Sequence, residues 1–472
     1  MSRSRPEGRR YRAALLEAWR TQIWPIPAVG IAAAVTVGTL LPRLDARLQA
    51  ALPTELLTYF FDGGRGAART VLSAVASSMV TVTSLTFSLT IVTLQLASTQ
   101  YSPRVLRTFS RDRFVHVTLA LLLATFTYAL TVLRSIGDEL SDRDDFVPRL
   151  SVTLAYVLAL ASVVALALFL AHLAQKIRVA TMLRDVHSDA DRTMHRVLGD
   201  RGVSRHPAGA PPEIPPDAPG GQEELLCATS SGILLAVDEE ALVAAAKDAR
   251  AAVWLDALPG GSVVAGTPIA RARPIEGAGL GERAREELER RVGTAVSTGY
   301  ERTDAQDVAF GLRQMVDVAL KALSPGVNDP TTAVEALGHV ATFLCELAGR
   351  DLGPRVLPDD SDRPWVVLAR PGLPDLLELA VSQPCRYGAD APEVLERLLE
   401  LLRQVAWTLR ADGPTPSAPD ETSAVVWQLA RVRQAVRQGR GMPRERQDLE
   451  ALADRVEEAL QGRWPAAPVA SP

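Results

Sequence analysis

Four long uncharged runs near the start of the chain constrain its fold more than any other feature. A bilayer core of about 30 Å is crossed by roughly 20 apolar residues in a helix. Ile23–Leu41, a stretch within Thr70–Gln100, Phe114–Leu133 and Leu150–Ala174 all reach that length. The expected spans are therefore about 23–41, 72–98, 114–133 and 150–174, inside a four-span transmembrane domain over residues 1–178. The first run is full span length, and "PRLDAR" after it offers no small-residue cleavage site. It reads as an uncleaved anchor rather than a signal peptide, with Trp19 and Trp24 suited to an interfacial belt at its start.

Lys and Arg near the span ends set orientation. The N-terminal segment is strongly basic, and the loop after the second run carries Arg104, Arg107, Arg111 and Arg113 against Asp112. The loop "RSIGDELSDRDDFVPR" is net acidic, and "QKIRVATMLRD" after the fourth run is basic again. This alternation predicts a multi-pass inner (plasma) membrane protein with both termini cytoplasmic. A net charge of −4 argues against a nucleic-acid partner. Cys227, Cys345 and Cys385 lie far apart without a CxxC, so they read as free thiols in a reducing compartment, not a disulfide framework or a zinc site.

The second run is unusual for a membrane segment because of its hydroxyls. At about 100° per residue, Thr70, Ser73, Ser77, Thr81, Ser84, Ser88, Gln95 and Thr99 fall within about 80° of one another. Thr83, Thr86, Thr90 and Thr93 form a shorter stripe opposite. The hydroxyls can bond back to the i−4 carbonyl, line a helix–helix contact, or face water in a pore built by several subunits. Ser77, Thr81, Ser84, Ser88 and Gln95 are the pore-lining candidates. No Asp, Glu, Lys or Arg lies within the expected spans, which disfavours a proton relay or ion-coupled carrier. Arg104, Arg107, Arg111 and Arg113 form a basic cluster at the membrane face, able to meet anionic lipid headgroups, to ring a pore mouth, or simply to signal topology.

The remainder reads as a cytoplasmic α+β, mostly helical region. Residues 179–222 are expected to be a helical extension of the fourth span and a Pro/Gly-rich linker, 223–275 a small strand module, 276–462 a helical domain and 463–472 a disordered tail. His187, Asp191 and His195 share one helix face at i, i+4, i+8, a spacing that metal ligands use and that solvated Asp–His pairs use too. Two helices flank "SPGVNDP", where Pro325 and Gly326 end one and Asn328 or Asp329 caps the next. Ser324, Asn328 and Asp329 are candidate ligand groups there, although turn chemistry accounts for each of them. No Walker A loop, no GxGxxG after a strand, no GxSxG and no HExxH occurs, so neither an enzyme nor a cofactor or metal is expected.

"SLTFSLTIVTLQLASTQYSPRVLRTFSRDR", "PGGSVVAGTPIA" and "FGLRQMVDVALKALSPGVNDPTTA" resemble segments of the DUF2254 family, bacterial predicted membrane proteins of unknown function. The resemblance implies an integral inner-membrane protein with a cytoplasmic C-terminal region, and no chemistry. Together the readings favour a homo-oligomeric, channel-like protein in the lipid bilayer. The alternative is a membrane-anchored scaffold or sensor whose cytoplasmic part binds a partner or small ligand.

Overall fold

A computed structural model describes residues 24–48, 61–100, 112–136, 147–176, 178–199, 222–275, 279–358, 364–411 and 419–464. The N-terminal basic segment, Arg104, Arg107, Arg111, the acidic third loop, the linker near 205–221 and the tail beyond 464 lie outside the described residues. The chain divides into two compact units, Met1–Thr181 and Met182–Pro472.

The first unit holds four helices long and apolar enough to cross a membrane. They are α1 (Pro25–Leu48), α2 (Arg65–Gln100), α3 (Arg113–Ser135) and α4 (Arg149–Lys176). Small residues let α1 and α3 approach closely. Gly30 and Gly38 flank Ala34 at four-residue steps on one face of α1; a Cβ at Gly38 would lie 2.9 Å from Thr131 Cβ, and one at Gly30 would lie 3.2 Å from the Ala120 carbonyl oxygen. Leu72, Met79, Leu122, Ala129, Val132 and Val152 fill the centre of the bundle. Polar pairs tie the helices together: Thr125 and Ser162 hydroxyls meet at 3.0 Å, and Tyr128 donates to the Ser151 carbonyl at 3.1 Å.

Two boundaries differ from expectation. The helix of the first span runs seven residues past Leu41, through Pro42, to Leu48. This places Asp45 fully buried, where its carboxylate accepts the backbone N–H of Ser151 at 3.2 Å. A carboxylate at an α-helix N-terminus satisfies a donor with no partner inside the helix, so α1 caps α4, a contact that no local pattern announces. The fourth span does not run unbroken into its extension. α4 ends at Lys176, and Arg178 turns the chain before α5 (Val179–Leu198), its carbonyl accepting from Thr181 N–H at 3.1 Å.

The second unit is α+β. Its elements are β1 (Glu224–Cys227), β2 (Gly232–Val237), α6 (Glu239–Asp248), β3 (Ala251–Leu255), β4 (Ser262–Val263), β5 (Pro268–Pro274), α7 (Glu282–Ala295) and β6 (Val296–Gly299). They are followed by α8 (Val308–Ala322), α9 (Pro330–Ala348), β7 (Arg355–Pro358), β8 (Pro364–Leu368), α10 (Leu373–Tyr387), α11 (Pro392–Ala411), α12 (Pro419–Gln438) and α13 (Pro443–Leu460). One sheet has the order β1-β5-β3-β8-β7 and a second has β4-β2-β6. β1 and β2, adjacent in sequence, therefore belong to different sheets. β3 and β8 run parallel, with Val253 opposite Val366 and Leu255 opposite Leu368.

The sheet does not close within the expected module 223–275. It takes in β7 and β8 from inside the expected helical domain, because a parallel pair needs a long crossover. Here α7, β6, α8 and α9 intervene between the two strands. α6 and α7 cover the sheets through Leu242, Ala246, Leu288 and Val292. In the helical part α11 is central, burying Leu398, Leu399, Leu402 and Val405 among its neighbours.

Candidate functional site

The helix α2 is unbroken for 36 residues, about 54 Å at ~1.5 Å per residue. It therefore exceeds a bilayer core as one continuous helix. Its two hydroxyl stripes have different surroundings. Thr86 and Thr93 are buried inside the bundle, at 1% and 4% exposure. Ser77, Thr81, Ser84, Ser88 and Gln95 are all exposed on the outer surface of the unit. Thr81, Thr83, Thr86, Thr90 and Thr93 return their hydroxyls to the i−4 carbonyl, and Ser77 to the i−3 carbonyl. Ser84 and Ser88 make no side-chain hydrogen bond among the described residues. The outer stripe thus presents unsatisfied hydroxyls on a surface otherwise formed by Val80, Leu85, Phe87, Ile91 and Val92.

Arg113 is exposed as the first residue of α3, next to the cap Asp112. Asp112 accepts from Phe114 N–H at 2.9 Å and meets His172 Nε2 of α4 at 2.6 Å. This carboxylate–imidazole contact joins two helices at one end of the bundle. A solitary Asp between arginines carried no sequence signal for it.

In the second unit, Asn328 sits in the left-handed region at φ 50°, and its N–H bonds the Ser324 carbonyl at 2.9 Å. Ser324 Oγ donates to the Lys321 carbonyl at 2.6 Å. Asp329 is the N-cap of α9: its carboxylate accepts from Thr332 N–H at 3.0 Å and from the Thr332 hydroxyl at 2.6 Å. Those bonds hold its pKa below the ordinary carboxylate value. Since the folded pKa is depressed, the stabilisation is complete above the unfolded value of about 3.9 and is lost as pH falls through the lower folded value. Asp329→Ala is expected to cost about 1 kcal/mol near neutral pH. It should cost progressively less in acid, as read by denaturant unfolding at pH 7 and below 3.

His187, Asp191 and His195 do not converge. His187 packs on His339 and Phe343 of α9, with ring centroids 5.3 and 6.0 Å away, while His195 meets Asp191 at 3.4 Å. Burial and the neighbouring His187 pull the His339 pKa below its usual value. No three His, Cys, Asp or Glu side chains are placed to hold a metal among the described residues. No disulfide joins Cys227, Cys345 or Cys385, and burial pushes the Cys385 thiol up to about 11.

Sequence reading gave no hint of a cavity of about 300 Å³ in this unit, since its walls come from segments scattered between Arg196 and Leu376. It lies outside the carboxyl ends of the parallel strands β3 and β8, at Leu255 and Leu368. Val237, Val308 and Leu376 make part of its apolar wall, and Arg196, Glu239, Gln306, Arg355 and Arg370 its polar part. Gln306 is spent on the backbone, bonding both the N–H and the carbonyl of Val237 at 2.8 and 3.0 Å. Arg355 holds both carboxylate oxygens of Glu239, at 3.0 and 3.1 Å. Arg302 pairs with the buried Asp307, whose pKa burial nevertheless raises. Gly260, at φ +83°, leaves the room that this pair occupies; any Cβ there would collide with it.

A family model described as a predicted membrane protein (DUF2254) matches residues 20–404. An uncharacterized protein of Mycobacterium bovis and another of Mycobacterium tuberculosis are each 34% identical over 398 residues, 84% of this chain and 74% of theirs. No solved structure matches the chain. The matched region takes in the four apolar helices, both sheets and the cavity.

Proposed function

We propose that this chain, which belongs to the DUF2254 family of predicted membrane proteins, is a homo-oligomeric, channel-like protein of the bacterial inner membrane. The supporting observation is the exposure of Ser77, Thr81, Ser84, Ser88 and Gln95 on the outer surface of α2. Lipid offers the uncommitted hydroxyls of Ser84 and Ser88 no hydrogen-bond partner, and polar residues in spans face other helices or water. Neighbouring copies would cover the flanking Leu85, Phe87 and Ile91, and leave the hydroxyls along a passive, water-filled path. Both termini would be cytoplasmic, with Arg104, Arg107, Arg111 and Arg113 near the path's mouth, within reach of anionic headgroups.

The reading requires more than one copy. Mass measurement of the purified chain in nanodiscs is expected to return an oligomer, and the same preparation in liposomes a passive ion flux. A monodisperse monomer without flux would sink the proposal and assign the spans to anchoring, as in a scaffold or sensor.

A further inference from the structure

We propose that the cavity of the second unit binds a small oxyanion, a carboxylate or phosphate carried on an apolar body, with Arg370 as its anchor. The inference is independent of the path along α2. It starts from the charges around the cavity. Glu239 is occupied by Arg355, and Asp307 by Arg302. Among the described residues Arg196 bonds only the neutral Ala305 carbonyl, at 3.3 Å, and the Thr193 hydroxyl at 3.5 Å. Arg370 makes no hydrogen bond or ion pair among the described residues. Two guanidinium charges therefore line the cavity without a carboxylate of their own.

Arg370 is the more costly of the two. Arg196 is exposed, whereas Arg370 is half-buried. Burial and the neighbouring Arg355 pull its pKa down to about 10, against a smaller opposing attraction from Glu239 and Asp351. A guanidinium taken out of water without a partner is destabilising, and an oxyanion that accepts its forked donors removes that penalty. Such pairs are bidentate and charge-assisted, the strongest class of hydrogen bond in proteins.

The shape agrees with this ligand class. About 300 Å³ suits a small molecule rather than a polymer. The place, outside the carboxyl ends of parallel strands, is where open α/β sheets bind ligands. α6 and α8 begin at its wall, at Glu239 and Val308, and helix N-termini favour anions. The apolar wall accounts for the body on which the oxyanion is carried.

The test uses the full chain in phosphatidylcholine nanodiscs and calorimetric titration with phenyl phosphate, benzoate and, as the uncharged counterpart, benzyl alcohol. At least one of the two anions is expected to bind tenfold or more tightly than the alcohol. Arg370→Met should remove that advantage, Arg370→Lys should keep part of it, and Arg196→Gln at the exposed mouth should reduce it a few-fold. Without ligand, Arg370→Met is expected to melt at or above the wild-type temperature, because it deletes an uncompensated charge. Adding phosphatidylglycerol to the discs separates the sources: a lipid headgroup would compete with the anion, a free metabolite would leave its affinity unchanged. Anions that bind no better than benzyl alcohol, or as well to Arg370→Met as to wild type, overturn the proposal. So does a lower melting temperature for unliganded Arg370→Met, which would make Arg370 a structural residue.

Discussion

Leucine at both Ser84 and Ser88 is expected to lower ion flux through the reconstituted protein at least tenfold while leaving it folded. Both positions are exposed on α2, one turn apart, and neither hydroxyl is committed to the helix backbone. In a water-filled path such hydroxyls replace part of an ion's hydration. Leucine withdraws that replacement and adds bulk, and about 1.4 kcal/mol of extra barrier suffices for a tenfold fall. Val163→Leu on α4 is the control: Val163 is also exposed, at 57%, beside the exposed Leu160 and Val164. It should leave flux unchanged. A third result is informative as well. If the leucines dissolve the oligomer, the stripe is a subunit contact sealed by hydroxyls, and the path runs elsewhere. Flux at wild-type level in an intact oligomer would remove α2 from any path.

Leucine at Gly311 is expected to destabilise the second unit by about 3 kcal/mol, at the upper end of what overpacking costs. Gly311 lies in α8 against Ala190 of α5. A Cβ there would collide with the Cβ of Ala190 and lie 3.0 Å from its Cα. Backbone must then move, since no flexible side chain can give way. Gly311→Ala should show the same effect in smaller measure, about 1 kcal/mol or more by denaturant unfolding. The displacement has a second consequence. α5 carries Arg196, at the cavity mouth, and Thr193, which donates to the Asp304 carbonyl at 3.2 Å. Gly311→Ala should therefore weaken anion binding as well as stability. If Gly311→Ala matches wild type within about 0.5 kcal/mol, α5 and α8 separate freely and the close packing is not a constraint.

Much of the helical architecture could be read in advance because helices answer to local rules. Pro325, Gly326, Asp329 and Pro330 mark a stop and a start within six residues, and α8 and α9 obey them. Of the apolar face that helical periodicity gives this segment, Val308, Leu312, Met315, Val318 and Ala319 are buried, and Leu323, at the C-cap, is half-buried. The last four helices also follow their periodicity, from Leu373 to Leu460. The strands were legible singly but not as sheets. "GILLAV" announces β2, yet nothing in it says that its partners are β4 and β6 rather than β1. β6 itself, "VSTG", carries too little pattern to be seen. The α2 stripe was legible as a stripe, because 100° per residue is a property of any α-helix.

By itself, the sequence determined where the runs long and apolar enough to cross a membrane lie, which helices end where, and that Asn328–Pro330 makes a turn. These follow from burial length, capping and backbone sterics within a few residues. Only the tertiary structure decided which of two threonine and serine stripes faces outward, that Asp45 caps a helix 106 residues away, and that β3 meets β8. It alone put Arg370 in a cavity where, among the described residues, no carboxylate hydrogen-bonds it. Burial and charge pairing are sums over neighbours brought from distant parts of the chain, and no local window of the sequence contains them.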